Sequence, residues 1–327
     1  MFKIGNVKIP NRCLLAPMAG YGDRAFRQMC REGGAGLSTT EMISCKGLLH
    51  NNIQTQSMLK VSQCEVPVAV QLFGKEPNDF ERAVEDNRLA HFDIIDINMG
   101  CPVNKVIKHG EGSELMATPK LACEIVRACK KSSSGRPITV KTRLGIECGK
   151  STVLNFVLAL QEAGVSSVTI HGRYQQQLYR GQADWEAISH VAEHVSIPVI
   201  GSGDVSSAEE YQRYLRYPNI AAVSIARGAL GNPNIFNSIL HHSQIESNPR
   251  HVMSLCKRHF ELCIQYTPNL AVSVFKKHFA CYIANLKKLS RFKNQILNEY
   301  KQQAHKLDSV QGTFDLIGIL SDAVMEI

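Results

Sequence analysis

Through the first two thirds of the chain, short apolar runs rich in β-branched residues alternate with stretches of helical spacing. The runs fall at 14–16, 37–40, 68–73, 94–97, 138–141, 168–170, 199–200 and 222–225. They are continuous rather than alternating, which is how strands of a parallel sheet buried on both faces read. Between them, residues 24–31, 79–88, 120–130, 153–163, 184–194 and 209–216 carry apolar side chains at three- and four-residue intervals and predict helices. Strand and helix alternating about eight times predicts an α/β fold, a (β/α)8 TIM barrel over residues 1–240. A doubly wound sheet alternates in the same way, but it does not so naturally put polar residues after nearly every strand. Here the strand ends hold Pro17-Met18-Ala19-Gly20, Glu41, Gln71, Asn98, Lys141, Arg143, His171, Ser202-Gly203-Asp204 and Arg227-Gly228. The C-terminal mouth is where a barrel of this kind carries its chemistry.

Past residue 240 the strand signal ends. Residues 250–266, 272–286, 291–305 and 314–325 have helical apolar spacing, with Pro268 and Gly312 as expected breaks. This predicts an all-α domain over residues 241–327. No low-complexity linker precedes it, so it is expected to pack on the barrel rather than hang from it.

Composition narrows the picture. With 44% hydrophobic and 20% charged residues the chain reads as an ordinary globular protein. It has no apolar run near the ~20 residues that span a bilayer. Its opening residues lack a secretory pattern, so a cytoplasmic protein without a membrane partner is expected. Eleven cysteines, with no C-x-x-C pair, read as buried small hydrophobes rather than a disulfide framework. Cys256, His259 and Cys263 share a helical face, but no second ligand pair accompanies them; a core stripe is the preferred reading and no metal is expected. The formal charge is +8. From residue 241 on, eleven Lys or Arg stand against seven acids, so about a quarter of the chain carries +4 of that total. Such density suits a polyanionic partner.

The strongest local signal is Asp96-Ile97-Asn98-Met99-Gly100-Cys101-Pro102, running on through Asn104-Lys105-Val106 to Gly110-Glu111-Gly112-Ser113. A cysteine between Gly and Pro directly after a buried strand lies in a tight loop where backbone can approach a ligand. An unperturbed thiol, with a pKa near ~8.5, is mainly protonated at neutral pH and can act as a general acid.

This segment resembles the signature of the tRNA-dihydrouridine synthases, and further ordered motifs resemble the same family. They are Ala16-Pro17-Met18-Ala19-Gly20 with Asp23, Phe26 and Arg27; Val70-Gln71-Leu72-Phe73-Gly74; Thr139-Val140-Lys141-Thr142-Arg143-Leu144-Gly145; His171-Gly172-Arg173 with Gln177, Tyr179, Gly181, Ala183, Asp184 and Trp185; and Ala226-Arg227-Gly228-Ala229-Leu230-Gly231-Asn232-Pro233. The opening, from Ile4-Gly5-Asn6-Val7 through Glu41-Met42-Ile43-Ser44, looks most like the bacterial DusB-like branch. In the tail the likeness is looser, chiefly Lys277-His278 and the basic run after it.

The resemblance implies FMN at the barrel mouth. Its phosphate would lie at Ser202, Gly203, Asp204, Ala226, Arg227 and Gly228 and its ring beside Gln71 and Lys141, with His171 on either ring or phosphate and Ala16, Pro17 and Met18 against the ring's face. It also implies that a reduced nicotinamide, NADPH or NADH, reduces the flavin, which passes hydride from N5 to C6 of a D-loop uridine in tRNA. Cys101 would then protonate C5. Asn98 and Arg143 are the implied base-binding groups. Lys276, Lys277, Lys287, Lys288, Arg291 and Lys293 would meet the RNA backbone near the tRNA elbow. A tRNA-sized partner needs a free mouth and tail, which favours a monomer. Three positions depart from the family pattern: Ser202 stands where Asn is usual, and Gly22 and Tyr174 where Thr is usual. Ser202 keeps one hydrogen-bond donor, so flavin binding is expected to persist, whereas Tyr174 is placed to alter substrate contacts. Two other readings stay open at this point. One is an FMN oxidoreductase of free pyrimidines, like a dihydroorotate dehydrogenase; the other is a non-catalytic tRNA-binding protein.

Overall fold

The structure is a computed structural model that describes residues 2–241, 248–289 and 294–325. An antiparallel hairpin, β1 (Phe2–Ile4) and β2 (Val7–Ile9), opens the chain. Eight parallel strands follow: β3 (Cys13–Leu15), β4 (Ser38–Ser44), β5 (Val68–Phe73), β6 (Ile94–Met99), β7 (Ile138–Arg143), β8 (Ser167–His171), β9 (Val199–Ser202) and β10 (Ile220–Ile225). Neighbours in sequence are neighbours in the sheet, and β10 returns to β3. Where β3 meets β4 the ring is closed by the Leu15 N–H to the Leu37 carbonyl at 2.9 Å and the Gly36 N–H to the Cys13 carbonyl at 2.8 Å. The predicted barrel is the observed one.

Helices fill the connections: α1 (Arg24–Glu32), α2 (Cys45–Leu49), α3 (Ile53–Met58), α4 (Pro77–Val84), α5 (Asn104–Ile107), α6 (Pro119–Ser132), α7 (Val153–Ala163), α8 (Trp185–His194), α9 (Ala208–Leu215) and α10 (Ile235–His241). Four more make the tail: α11 (Pro249–Tyr266), α12 (Ala271–Leu289), α13 (Asn294–Lys306) and α14 (Val310–Met325). None of the described helices is long and apolar enough to cross a membrane.

Several strands run past the end of their apolar run. β4, β6, β7 and β9 continue through Glu41, Asn98, Arg143 and Ser202, because the lumen changes character along its length. At the N-terminal end Leu14, Leu37, Ala69, Ile94, Ile200 and Ala222 pack with Ile4 and Ile9 of the hairpin, which plugs the barrel floor. Toward the other end the inward positions become polar while the backbone ladder continues. The expected 79–88 helix is two pieces, since the Asp86 carboxylate accepts the Arg88 N–H at 2.9 Å and starts a separate turn at Asn87–Leu89. Gly312 does not break the last helix; it lies in the first turn of α14, where the Ser309 hydroxyl accepts its N–H at 3.2 Å.

α1 joins two cores. Its Phe26 and Cys30 face the barrel core, while Ala25 and Met29 belong to a second core with α11, α12 and α14. Cys256 and Cys263 lie in that second core, and His259 turns its Nδ1 to the Tyr282 hydroxyl at 3.2 Å.

Candidate active site

Strand register sets which side chains meet. Parallel pairing puts Gln71 beside Asp96, Asn98 beside Lys141, Arg143 beside His171, and His171 beside Ser202. Side chains on one face of a strand recur every second residue, so these neighbours share the inner wall at the mouth.

A directed chain of hydrogen bonds leads to Cys101. The Asn98 Oδ1 accepts the N–H groups of Cys101 at 2.9 Å and Gly100 at 3.2 Å. Its Nδ2 therefore faces Gln71 and donates to Oε1 at 2.8 Å. Gln71 Nε2 in turn donates to Asp96 at 2.7 Å, and Thr139 donates to the other Asp96 oxygen at 2.6 Å. Asn98 keeps one amide hydrogen for a ligand. Burial raises the Asp96 pKa, opposed by these two donors and by the charge of Lys141.

The Cys101 loop is pinned from its other side. The Cys101 carbonyl accepts both the Ser113 N–H at 3.1 Å and its hydroxyl at 2.8 Å. Gln175, from the loop after β8, donates to that hydroxyl at 3.0 Å. Gly112 has φ +63°, and a Cβ there would lie 2.8 Å from the Cys101 carbonyl oxygen, so the close approach needs glycine. Burial pushes the half-buried Cys101 thiol up, against the pull of the Val103 N–H, Arg143 and Lys141. It is a thiol, not a thiolate, at neutral pH.

The cations near it differ in freedom. Arg143 is buried, with Nε on the Gly100 carbonyl at 2.7 Å and Nη1 on those of Tyr174 at 3.0 Å and Leu178 at 2.9 Å. Burial lowers its pKa to about 10, which leaves it charged. Its Nε and Nη1 brace two loops, and its Nη2 makes no hydrogen bond among the described residues. Lys141 has its pKa lowered to about 8 by burial and then by Arg143, with Asp96 pulling the other way.

Around the rim, burial and then the charges of Lys141, Arg143, Arg173 and Arg227 drive the His171 pKa to about 2, so its ring is neutral. Arg173 can only donate and lies 3.3 Å from His171 Nε2, so that nitrogen accepts and Nδ1 carries the proton. Arg173 also pairs with Asp204 at 2.8 Å. Arg227 lies 3.6 Å from the same carboxylate and stays largely exposed. Gly228 packs so tightly that a Cβ would fall 2.1 Å from the Val205 carbonyl oxygen, and one at Gly203 2.6 Å from the Ala183 Cβ. Ser202 spends its hydroxyl on the Ser224 carbonyl at 3.1 Å, away from the rim. Ala226 precedes the turn that carries Arg227 and Gly228.

The opening loop completes the ring. The Ala16 N–H donates to the Ile225 carbonyl at 2.8 Å, and the N–H groups of Tyr21 and Gly22 fold back onto the Met18 carbonyl. Pro17 and Met18 are half-buried. The space at Gly22 is tight: a Cβ would lie 3.2 Å from both the Met18 carbonyl oxygen and the Glu41 side chain. Tyr174 packs its side chain on the barrel core. From the tail, Lys277 reaches 5.6 Å from the Tyr21 ring centre, and the next residue, His278, contacts Asp23 at 2.8 Å. Lys287 and Lys288 lie about 15 Å further along α12, Lys287 bonded to the Asn298 side chain. Arg291 and Lys293 lie outside the described residues.

The model of the family described as dihydrouridine synthase (Dus) matches residues 14–317. The chain belongs to the dihydrouridine synthase family. It is 34% identical to tRNA-dihydrouridine synthase B of Pseudomonas aeruginosa over 90% of each chain, and 33% identical to that of Pasteurella multocida over 96% of each. Among solved structures, histamine dehydrogenase from Rhizobium sp. 4-9 is similar with a TM-score of 0.60 at 15% identity, over 78% of this chain and 50% of that one. The old yellow enzyme homologue of Zymomonas mobilis gives 0.54 at 14%, over 74% and 92%. These two likenesses bear on the fold alone. Within the family's barrel, Asp96 and Gln175 are the supports to which sequence reasoning gave no role. Asp96 carried a signal, an acid inside an apolar strand run; Gln175, in an irregular loop, carried none.

Proposed function

We propose that this dihydrouridine synthase reduces the C5–C6 double bond of D-loop uridine in tRNA, with FMN at the barrel mouth, NADPH as reductant and Cys101 as the acid. The observation that carries it is the Cys101 loop. A protonated thiol stands at the mouth of a polar, cation-lined barrel, held by Asn98 on one side and Ser113 on the other.

The rim suits a flavin mononucleotide. Arg227 is exposed and only distantly paired where a dianionic phosphate would sit, while Gly203 and Gly228 let Ala183 and the Val205–Ser206 backbone pack closely against the rim loops. Ser202 has its hydroxyl on the Ser224 carbonyl, so only its backbone would be left for the phosphate. When bound, the flavin supplies the hydride chemistry. Lys141, still largely protonated at pH 7, places positive charge where reduced-ring charge develops. Neutral His171 offers Nδ1–H as a donor that would face the flavin, and Gln71 and Asn98 hold the Cys101 loop in place. Cys101 donates its proton to C5 of the base, a role its raised pKa suits. The uridine must leave its stack to reach this depth. Lys277, on the tail helix beside the opening loop, is placed to meet the RNA backbone next to the mouth, with Lys287 and Lys288 further along the same helix. The barrel over residues 1–240 would then be the catalytic domain and residues 241–327 the tRNA-binding one, in a monomer.

The test is unmodified tRNA incubated with FMN, NADPH and either the parent protein or Cys101→Ala. Digestion and mass spectrometry should find uridine two hydrogens heavier from the parent, and very little from the variant. A parent that oxidises NADPH and leaves tRNA unchanged would shift the reading to free pyrimidines.

A further inference from the structure

The opening loop between β3 and α1 sets its Pro17 in the wall of the lumen cavity that Asp96, Thr139 and Lys141 also line. Three groups fix the far end of this loop. The Glu41 carboxylate, from β4, accepts the Gly20 N–H. Arg27 of α1, 1% exposed and paired with Glu65 at 2.7 Å, donates to the Gly22 carbonyl at 2.7 Å. The third comes from the tail. His278 of α12 donates from Nε2 to the Asp23 Oδ2 at 2.8 Å, while Oδ1 of the same carboxylate caps α1 by accepting the Phe26 N–H at 3.0 Å. The His278 ring is buried, stacked on Phe26 with centres 5.2 Å apart and edge-on to Tyr21 at 5.5 Å.

Docking of the tail does not require this contact. Ala25 and Met29 of α1 already lie in the tail core, Arg24 stands over the Tyr266 ring at 3.8 Å, and the Tyr266 hydroxyl bonds to Gln28. Nor does packing favour an imidazole at position 278. Among the described residues its Nδ1 has no hydrogen-bond partner, a desolvation cost that an apolar side chain would not carry. Its one hydrogen bond goes to the residue that ends the opening loop. We propose that His278 is a positioning residue for the flavin: through Asp23 and Tyr21 it sets the loop that closes against the ring, and so makes the tail helix part of the cofactor site. This rests on the reading that FMN occupies the mouth. A loop held in place beforehand leaves nothing to be ordered when flavin arrives, whereas a loop that the flavin must order binds it more weakly by the cost of that ordering.

The experiment is a fluorescence titration of the flavin-stripped full chain with FMN, for the parent, His278→Leu, His278→Gln and Leu320→Ala. Leucine fills the space without a donor, and the Asp23 side chain, 21% exposed, can then turn to water, so the fold is kept. Glutamine can place its Nε2 donor where the imidazole Nε2 stands. Leu320 is buried on α14 in the tail core, and truncating it leaves a cavity there with the loop contacts intact. His278→Leu should raise the Kd for FMN roughly 10- to 150-fold, the value of one hydrogen bond to a charged group expressed as affinity. His278→Gln should return it to within about threefold of the parent. Leu320→Ala should unfold at lower urea yet bind FMN as the parent does. An unchanged Kd in His278→Leu overturns the positioning role, and so does His278→Gln binding as weakly as His278→Leu. Equal loss of affinity in Leu320→Ala also overturns it, since the effect would then be one of tail stability. A parent that takes up no FMN would remove the cofactor reading first and the positioning role with it.

Discussion

Replacing Asn98 by Ala removes the joint of the hydrogen-bond chain beneath Cys101. Three bonds go at once: those from the Cys101 and Gly100 N–H groups at 2.9 and 3.2 Å, and that to Gln71 Oε1 at 2.8 Å. The losses are unequal. The two N–H groups lie in a part-buried loop that water can reach, so each costs only the net value of a bond, about 0.5–1.5 kcal/mol. Gln71 is 1% exposed, so its carbonyl oxygen stays dry and unpaired, a penalty of about 1–3 kcal/mol. Together these predict a destabilisation of about 2–6 kcal/mol, at and beyond the upper end for a point substitution. Urea unfolding should show it as a lower midpoint at unchanged slope. Because the Cys101 loop loses its anchor, dihydrouridine formation should also fall about 100-fold, the scale of a 1 Å misplacement of a reacting group. A variant within about 0.5 kcal/mol of the parent would refute the account of Gln71 as dependent on Asn98. A destabilised variant with parental turnover would refute the account of the loop as held in position by this side chain.

Two further predictions concern pH. Burial opposes ionisation of Asp23, but the His278 hydrogen bond, the charges of His278 and His259, and the Phe26 N–H outweigh it and hold the carboxyl below its ordinary range. Its contribution to stability is therefore complete above the unfolded value of ~3.9 and lost as pH falls below that; Asp23→Asn should unfold with a flatter acid limb in a pH series of urea midpoints, and parallel curves would contradict this. Lys141 works in the opposite sense: its pKa falls from ~10.4 unfolded to about 8, so the flavin-free fold binds fewer protons and gains stability as pH rises through that window. Lys141→Met should be more stable than the parent at pH 7 without flavin, by a margin that shrinks from pH 8 to 10, while binding reduced flavin less tightly; a margin in urea midpoint that stays level over that range would count against the burial.

Much of this architecture was written along the chain. Continuous β-branched runs separated by amphipathic stretches specify a parallel barrel because each run must be covered on both faces, and closure of the ring satisfies every edge. The polar residues after those runs were legible as a rim for the same reason: lumen polarity interrupts the pattern wherever the mouth begins. What each rim group is free to do was decided only by the fold. Arg143 and Ser202 read as ligand-facing groups; the fold also engages Arg143 Nε and Nη1 with three carbonyls and the Ser202 hydroxyl with the Ser224 carbonyl, partners 22 to 43 residues away in the chain. Gln175 was silent, because a glutamine in a loop acquires meaning only when Ser113, 62 residues earlier, lies beside it. In the tail, Lys277 and Lys288 are alike as charges. Packing of α1 into the helical core sets one beside the opening loop and leaves the other far along α12. Periodicity is a local property and survives in the sequence; the pairing of donors with acceptors is a long-range one, and folding alone assigns it.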